Sequence, residues 1–206
     1  MSRNALTYFL VYKPYGMLSQ FQPDHPGQAT LSDLGGQFPR DAYPIGRLDA
    51  DSEGLLLISN DKNLPDLLLP PQRRRQRTYW AQVEGLPDTA ALDALRQGVT
   101  LRIDGKTHRT LPAEVRLLDA GPDGLPERIP PIRFRQHIPT AWIEIVLREG
   151  KNRQVRRMCA AVGHPVLRLV RARIGRIGLG AYGLGALKAG QIIALSPEQV
   201  AALCER

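Results

Sequence analysis

Residues 7 to 12, Thr7 to Tyr12, form a run of aromatic and branched side chains stopped by Pro14 and Gly16, the pattern of a short strand ending in a turn. After a loop over 22–30, Thr30 is placed to cap a brief helix reaching Leu34. Ile45 to Leu48 and Leu55 to Ser59 read as strands on either side of an acidic turn. The second is a continuous apolar run of the kind buried on both faces. A helical stretch follows Asn60 and Asp61 and ends at Pro70 and Pro71. Thr78 to Val83 alternates, with Tyr79, Ala81 and Val83 facing one way and Thr78, Trp80 and Gln82 the other, which predicts a half-buried strand.

Asp88 is positioned as the N-cap of a helix carrying Leu92 and Leu95 and closed by Gly98. Val99 to Ile103, the turn pair Asp104 and Gly105, and a strand around Glu114 to Leu118 predict a hairpin-like excursion. Residues 119–140 are crowded with Pro and Gly, long enough for a functional loop or a poorly ordered one. A strand over Trp142 to Leu147 precedes a helix from about Asn152 to Val162, with Gly163 as its stop signal. Short glycine-punctuated strands lead to Gln191–Leu195, and Ser196, Pro197 and Gln199 spell a helix start. Strands outnumber helices and no βαβ rhythm repeats, so the expectation is an α+β fold with a mixed, largely antiparallel sheet.

With 206 residues, 43% of them hydrophobic, the chain can bury a sizeable core as one domain or two closely packed lobes. Its formal charge of +8 points to a polyanionic partner. From Arg148 to Arg176 nine Lys or Arg stand against Glu149 alone, so this stretch carries as much net charge as the whole chain. That asymmetry favours a binding surface over scattered solvation. Cys159 and Cys204 lie far apart outside any C-x-x-C pair, and the four histidines are dispersed, which excludes a disulfide framework or zinc knuckle. No signal peptide or membrane-length apolar run is present, and the expectation is a cytoplasmic protein without a membrane partner.

The acidic turn, "GRLDADSEGLLLISND" over residues 46–61, admits two chemistries. Asp49, Asp51, Glu53 and Gly54 match the first, third, fifth and sixth positions of a calcium loop. The match fails where a bidentate Glu is required, because that position is Asn60, and the apolar run from Leu55 replaces further oxygen ligands. No metal site is expected. The alternative is a catalytic carboxylate at a strand end, where alternation sets Arg47 and Asp49 on one side and the cation keeps the carboxylate ionised, fit for a nucleophile or base. A plain polar turn with Arg47 as a surface partner remains compatible with these residues alone.

Two further stretches add weight. In "LREGKNRQVRRMCAAVGHP", Val155, Met158, Cys159 and Val162 form one buried helical stripe. Arg153, Arg156 and Arg157 fall on the opposite arc, with Arg156 nearest the border and able to reach inward to a carboxylate. "RRRQRTYW" sets four arginines before a strand carrying Tyr79; basic groups beside an aromatic suit a splayed-out base.

Together these stretches resemble a family, the RNA pseudouridine synthases of the small- and large-subunit rRNA type. "GRLDADSEGLLLISND" resembles its catalytic motif, "RTYWAQVEG" its tyrosine motif, and "EGKNRQVRRM" with "GHPVLRLVRARIG" its closing basic motifs. "VYKPYGML", "LRQGVTL" and "PPIRFRQHIPTAW" resemble the E subgroup of the large-subunit enzymes, so the likeness spans nearly the whole chain. It implies the pseudouridine synthase fold, a central mixed and largely antiparallel sheet in two lobes with flanking helices and a central cleft.

The resemblance further implies that Asp49 is the catalytic aspartate and Arg47 the arginine that displaces the target base. It makes Tyr79 the tyrosine that packs on the uracil and Arg156 the basic partner of Asp49. Either Leu169 or Leu167 becomes the apolar residue of the site. Lys151, Arg153, Arg157, Arg171, Arg73, Arg74 and Arg75 are the expected RNA contacts. The implied reaction isomerises a uridine of 23S rRNA to pseudouridine without a cofactor, by a monomer. Relatives of the small-subunit type carry an S4-like RNA-binding domain ahead of the "YKP" motif; here that motif falls within the first fifteen residues, and the expectation is a single catalytic domain over 1–206. Two rivals stand beside it: a non-catalytic RNA-binding or ribosome-assembly protein that keeps the fold, and a glycosidase using Asp49 with Asp51 or Glu53, which leaves the basic stretches unexplained.

Overall fold

The computed structural model describes residues 5–70, 75–132, 138–180 and 183–204. The chain opens with β1 (Tyr8–Lys13) and, after a 3-10 turn over Leu31–Leu34, adds β2 (Tyr43–Ile45) and β3 (Glu53–Ser59). A five-residue helix α1 (Leu64–Leu68), β4 (Arg77–Glu84) and α2 (Thr89–Gln97) follow. Then come β5 (Thr100–Ile103), β6 (Lys106–Arg109), β7 (Glu114–Leu118), β8 (Thr140–Leu147) and α3 (Gln154–Ala161). β9 (Val166–Ile174), β10 (Ile177–Gly178), β11 (Ile192–Ala194) and α4 (Pro197–Cys204) complete it.

Nine strands build one sheet whose main path runs β11-β1-β3-β9-β4-β8-β7, with β2 on β3 and β10 on β9. All the strand pairings described are antiparallel except β3 with β9, which is parallel and spans only Glu53↔Val170 and Gly54↔Arg171. That short seam joins the β1–β3 half of the sheet to the β4–β8 half. Gly54 has φ +99, and a Cβ there would run into the backbone of Arg171, so the close approach of β3 to β9 requires glycine.

β3 is buried along its whole length, as its apolar run predicts. β4 departs from the expectation of a half-buried strand. Trp80 packs into one core cluster with Leu55, Leu57 and Val170, while Ala81 and Val83 pack into another with Leu95, Ile143 and Met158, so both faces are covered. The Trp80 indole N–H donates to Glu144 at 2.9 Å, which satisfies its polar edge inside the sheet. Helix ends follow local chemistry: the Asp88 carboxylate accepts the Ala91 N–H at 2.7 Å to start α2, and Gln199 accepts the Ser196 N–H at 2.9 Å to start α4.

Two expectations give way. Gly46, with φ +76, ends β2 at Ile45, so Arg47, Leu48 and Asp49 lie in a loop and not on a strand. The hairpin closes differently too, since β5 pairs with the polar β6 through the left-handed Asp104–Gly105 turn, and β7 joins the main sheet beside β8. The 119–132 part of the Pro-rich stretch is docked. Arg168 donates to the Pro126 carbonyl at 2.7 Å, and the Arg128 guanidinium lies 4.3 Å from the Tyr15 ring centroid. Among the described residues, no helix is long and apolar enough to cross a membrane.

Candidate active site

The acidic turn sits above β1 and is pinned from below. The Ser19 hydroxyl donates to the Leu48 carbonyl at 2.8 Å and accepts the Leu48 N–H at 3.0 Å, which fixes the backbone between Arg47 and Asp49. The Ala50 carbonyl accepts the Gly16 N–H at 2.7 Å, and the Ser52 N–H closes the turn on Asp49 O at 3.0 Å. Lys13 is fully buried beneath it and donates to the carbonyls of Pro14 (2.8 Å), Met17 (2.7 Å) and Ala50 (3.3 Å). Burial lowers its ammonium to about 8, against the raising pull of Glu53, Asp51 and Asp49. Sequence reasoning missed this residue, whose signal was a lysine closing an otherwise apolar strand.

From the other side, the turn is held by the start of α3. Arg153 donates both amino groups to the Asp51 carboxylate at 3.1 and 2.8 Å, and one of them reaches Asp49 at 3.4 Å. Arg156 donates to the Asp51 carbonyl at 2.6 Å and to Val166 O at 3.1 Å, and its Nε is 3.3 Å from the Asp51 carboxylate. The expected pairing of Arg156 with Asp49 is therefore replaced: Arg153 contacts Asp49, and Arg156 grips Asp51 while contributing to Asp49 through space. The reason is local geometry. Arg153 takes a left-handed conformation, φ 51, that swings its side chain off the helix arc on which regular periodicity would set it. Asp51 is partly buried, which alone would raise its carboxyl, but Arg153 and Arg156 more than offset this and hold it below the usual carboxylate range. Asp51 is thus paired with Arg153 and Arg156, and Glu53 with Arg168.

Beside the turn opens a cleft of about 790 Å³. Apolar lining comes from two core clusters, Ile45 and Leu57 of the sheet with Leu68 of α1 in one, and Leu147 and Leu169 of the sheet with Val155 of α3 in the other. Arg47, Asp49 and Tyr79 all line it, and Leu169 does where Leu167 does not, which separates the two leucines. Tyr79 is the cross-strand partner of Arg171, and both flank the cleft with Arg77 and Arg75. Seven cationic residues line it against two carboxylates, Asp49 and Glu149, so its field is positive.

The predicted RNA-contact residues that the structure describes separate into three groups. Lys151 and Arg153 are exposed on the cleft rim. Arg157 donates to Arg102 O at 2.7 Å and Asn152 Oδ1 at 3.0 Å, which employs its head in bracing the β5–β6 hairpin. Arg75 and Arg171 are buried, not on an outer surface; Arg171 Nε donates to Leu55 O at 2.7 Å. Arg73 and Arg74 lie outside the described residues. Part of the basic 148–176 stretch, Arg168 and Arg171, is thus internal, because arginine can satisfy buried carbonyls and carboxylates, as Arg168 does with Glu53 at 2.8 Å through Nε and Nη2. Ser52 Oγ, Arg75 Nη1 and Arg171 Nη2 are buried without hydrogen-bond partners, and all three residues line the cleft.

A family model for RNA pseudouridylate synthases matches residues 7–161, which contain the turn, the tyrosine strand and the first basic motif. The chain belongs to that family. Within it, the chain is 52% identical over 167 residues to a ribosomal large subunit pseudouridine synthase E of Xanthomonas axonopodis pv. citri, covering 81% of this chain and 84% of that one. It is 35% identical over 200 residues to a ribosomal large subunit pseudouridine synthase B of Bacillus subtilis, covering 97% and 72%. A crystal structure of a pseudouridylate synthase superposes with a TM-score of 0.76 at 23% identity over 98% of this chain and 76% of that one, which shows the shared fold. The protein is accordingly an RNA pseudouridine synthase with the α+β architecture of its family.

Proposed function

We propose that this pseudouridine synthase acts on a uridine of large-subunit (23S) ribosomal RNA and that Asp49 carries the chemistry. The substrate follows the names of the relatives, four of which, at 49–52% identity, are ribosomal large subunit pseudouridine synthase E. The observation that carries the residue assignment is a carboxylate and an aromatic ring lining one positive cleft: Asp49 on its pinned turn, Tyr79 on the central strand.

The reaction breaks the N1–C1′ bond of a uridine, turns the freed uracil and joins C5 to C1′, with a proton exchanged between C5 and N1 and no net redox change. The base must first leave its stack, at a cost of about a few kcal/mol that contacts in the cleft offset. Arg47, exposed on the rim, takes the place of the displaced base, and Tyr79 and Leu169 pack on the uracil. Asp49, 3.4 Å from Arg153, engages the sugar at C1′ or C2′. Lys151 and Arg153 meet backbone phosphates at the mouth, so association weakens steeply with salt.

The test is to incubate wild type and Asp49→Asn with unmodified 23S rRNA transcript and map pseudouridine by carbodiimide labelling and primer extension. A stop made by wild type and absent with the variant supports both substrate and residue. Equal stops with both proteins would remove Asp49 from the chemistry.

A further inference from the structure

Arg171 stands apart from the other arginines of the molecule. Its exposure is 5%, its Nε is tied to Leu55 O at 2.7 Å, and its Nη2 is buried without a hydrogen-bond partner. No carboxylate bonds to it among the described residues. Arg153 and Arg156 each have a carboxylate partner in Asp51, Arg168 in Glu53 and Arg148 in Glu114. Arg47, Arg75 and Arg77 are likewise without a carboxylate partner among the described residues, yet Arg171 alone is the register partner of Tyr79 across β4 and β9, and the neutral Tyr79 phenol is the one side chain that draws on its charge by hydrogen bonding. Nearby Arg77 and Lys13 add to the positive charge there. An unbalanced guanidinium is costly to bury, and it becomes favourable when an anion arises beside it.

We infer that Arg171 is the cation that receives the negative charge of the uracil as the base leaves C1′. This rests on the proposal above that Asp49 and Tyr79 form the uridine site. When the N1–C1′ bond breaks, both electrons remain with N1, and the uracil carries one negative charge spread over N1, O2 and O4. The sugar's positive charge is met by Asp49, which either bonds C1′ through a carboxylate oxygen or takes the C2′ proton, so charge balances along both routes. A neutral base on Tyr79 draws little from Arg171, whereas the uracil anion draws much more. That is the condition for stabilising a transition state and not merely a bound substrate. The same attraction retains the detached base while it turns to present C5.

The experiment compares wild type and Arg171→Met on 23S rRNA transcribed with uridine or with 5-fluorouridine, whose electron-withdrawing fluorine stabilises the departing anion. Single-turnover conversion of the target nucleotide is followed by nuclease digestion and chromatography, and RNA affinity is measured separately. The expected result is a rate loss of about thirtyfold or more on uridine RNA, a several-fold smaller loss on 5-fluorouridine RNA, and unchanged affinity. Equal losses on both RNAs, or a loss confined to affinity, would overturn the role. If Arg171→Met no longer melts cooperatively, Arg171→Lys answers instead. It keeps the charge but loses the tether to Leu55, so a rate within about fivefold of wild type supports the inference and a large loss equal on both RNAs overturns it. Asp49→Asn on uridine RNA separates the two ideas: turnover that survives in this variant counts against the site assignment, whereas its loss together with equal Arg171→Met losses removes the Arg171 role alone.

Discussion

Arg153 and Asp51 are joined by both guanidinium amino groups, at 3.1 and 2.8 Å, whereas Asp49, two residues earlier, receives one longer contact of 3.4 Å. The stronger grip thus falls on the carboxylate that shapes the turn, and the carboxylate assigned to chemistry is left free to meet substrate.

Asp51→Asn is expected to lower kcat by about ten- to a hundredfold, the scale of losing charge-assisted hydrogen bonds that position a reacting group, with a smaller effect on RNA affinity. Single-turnover rates beside binding curves measure the split. Because the Asp51 carboxyl is held below its ordinary 3.8, the stability it contributes is present above that value and is lost only as pH falls through the lower folded value. Acid titration followed by circular dichroism should therefore show no loss from this clamp above pH 5.

Lys13 moves stability in the same direction, but on the alkaline side. Its ammonium titrates at about 8 in the fold against 10.5 for a free lysine, so between these values the unfolded chain holds a proton that the folded chain has released. Stability from this group accordingly rises with pH across that window. Deprotonation leaves two N–H donors for three carbonyls, so the turn loosens and activity falls through pH 8 while the melting temperature contribution grows. Rates and melts from pH 7 to 10, with Lys13→Met as the variant lacking both trends, check this pairing.

Arg168→Met should be among the most destabilising single changes in the molecule. It leaves Glu53, 2% exposed, without its bidentate partner, a loss on the order of 3–5 kcal/mol. It also frees the Pro126 carbonyl, so limited proteolysis within 119–132 should quicken. Pairing it with Glu53→Gln should cost less than the two changes added together, measured by urea denaturation.

Gly54→Ala is expected to destabilise by about 1–3 kcal/mol, since alanine is strained at φ +99 and its methyl meets the Arg171 backbone. Thermal melts measure the loss, and a parallel fall in kcat would show that β3 and β9 must close for the cleft to form.

Regular elements were legible where local chemistry dominates. The Asp88 and Ser196 caps, the apolar run of β3 and the alternation of β4 all stand where pattern put them. Boundaries slipped where a glycine decides: Gly46 turned a supposed strand into the loop that carries Asp49. β6 was overlooked because Lys106, Thr107, His108 and Arg109 have no apolar period, and only pairing with β5 makes them a strand. For the site, motif likeness pointed to Asp49, Arg47 and Tyr79 and left Leu169 and Leu167 as alternatives; the first three and Leu169 line one cleft. The arginines were harder. Their count along 148–176 is a property of sequence, but whether a guanidinium meets solvent, a carboxylate or a carbonyl depends on chain segments a hundred residues away, as with Arg156 and the Asp51 carbonyl.

The two-rung parallel seam between β3 and β9 makes the sheet resemble a folded card whose crease runs past the turn bearing Asp49. On one leaf, β1 and β3 carry an unbroken antiparallel ladder; on the other, β4 pairs without a break with β8 and, with register shifts at Thr78/Tyr79 and Gln82/Val83, with β9. A small change of angle at the crease would widen or narrow the space between Asp49 and Tyr79 while sparing both ladders. What sets the spacing between the carboxylate and the ring is therefore the set of guanidinium ties that cross the crease, Arg168 to Glu53, Arg171 to Leu55 and Arg153 to Asp51, more than the ladder itself.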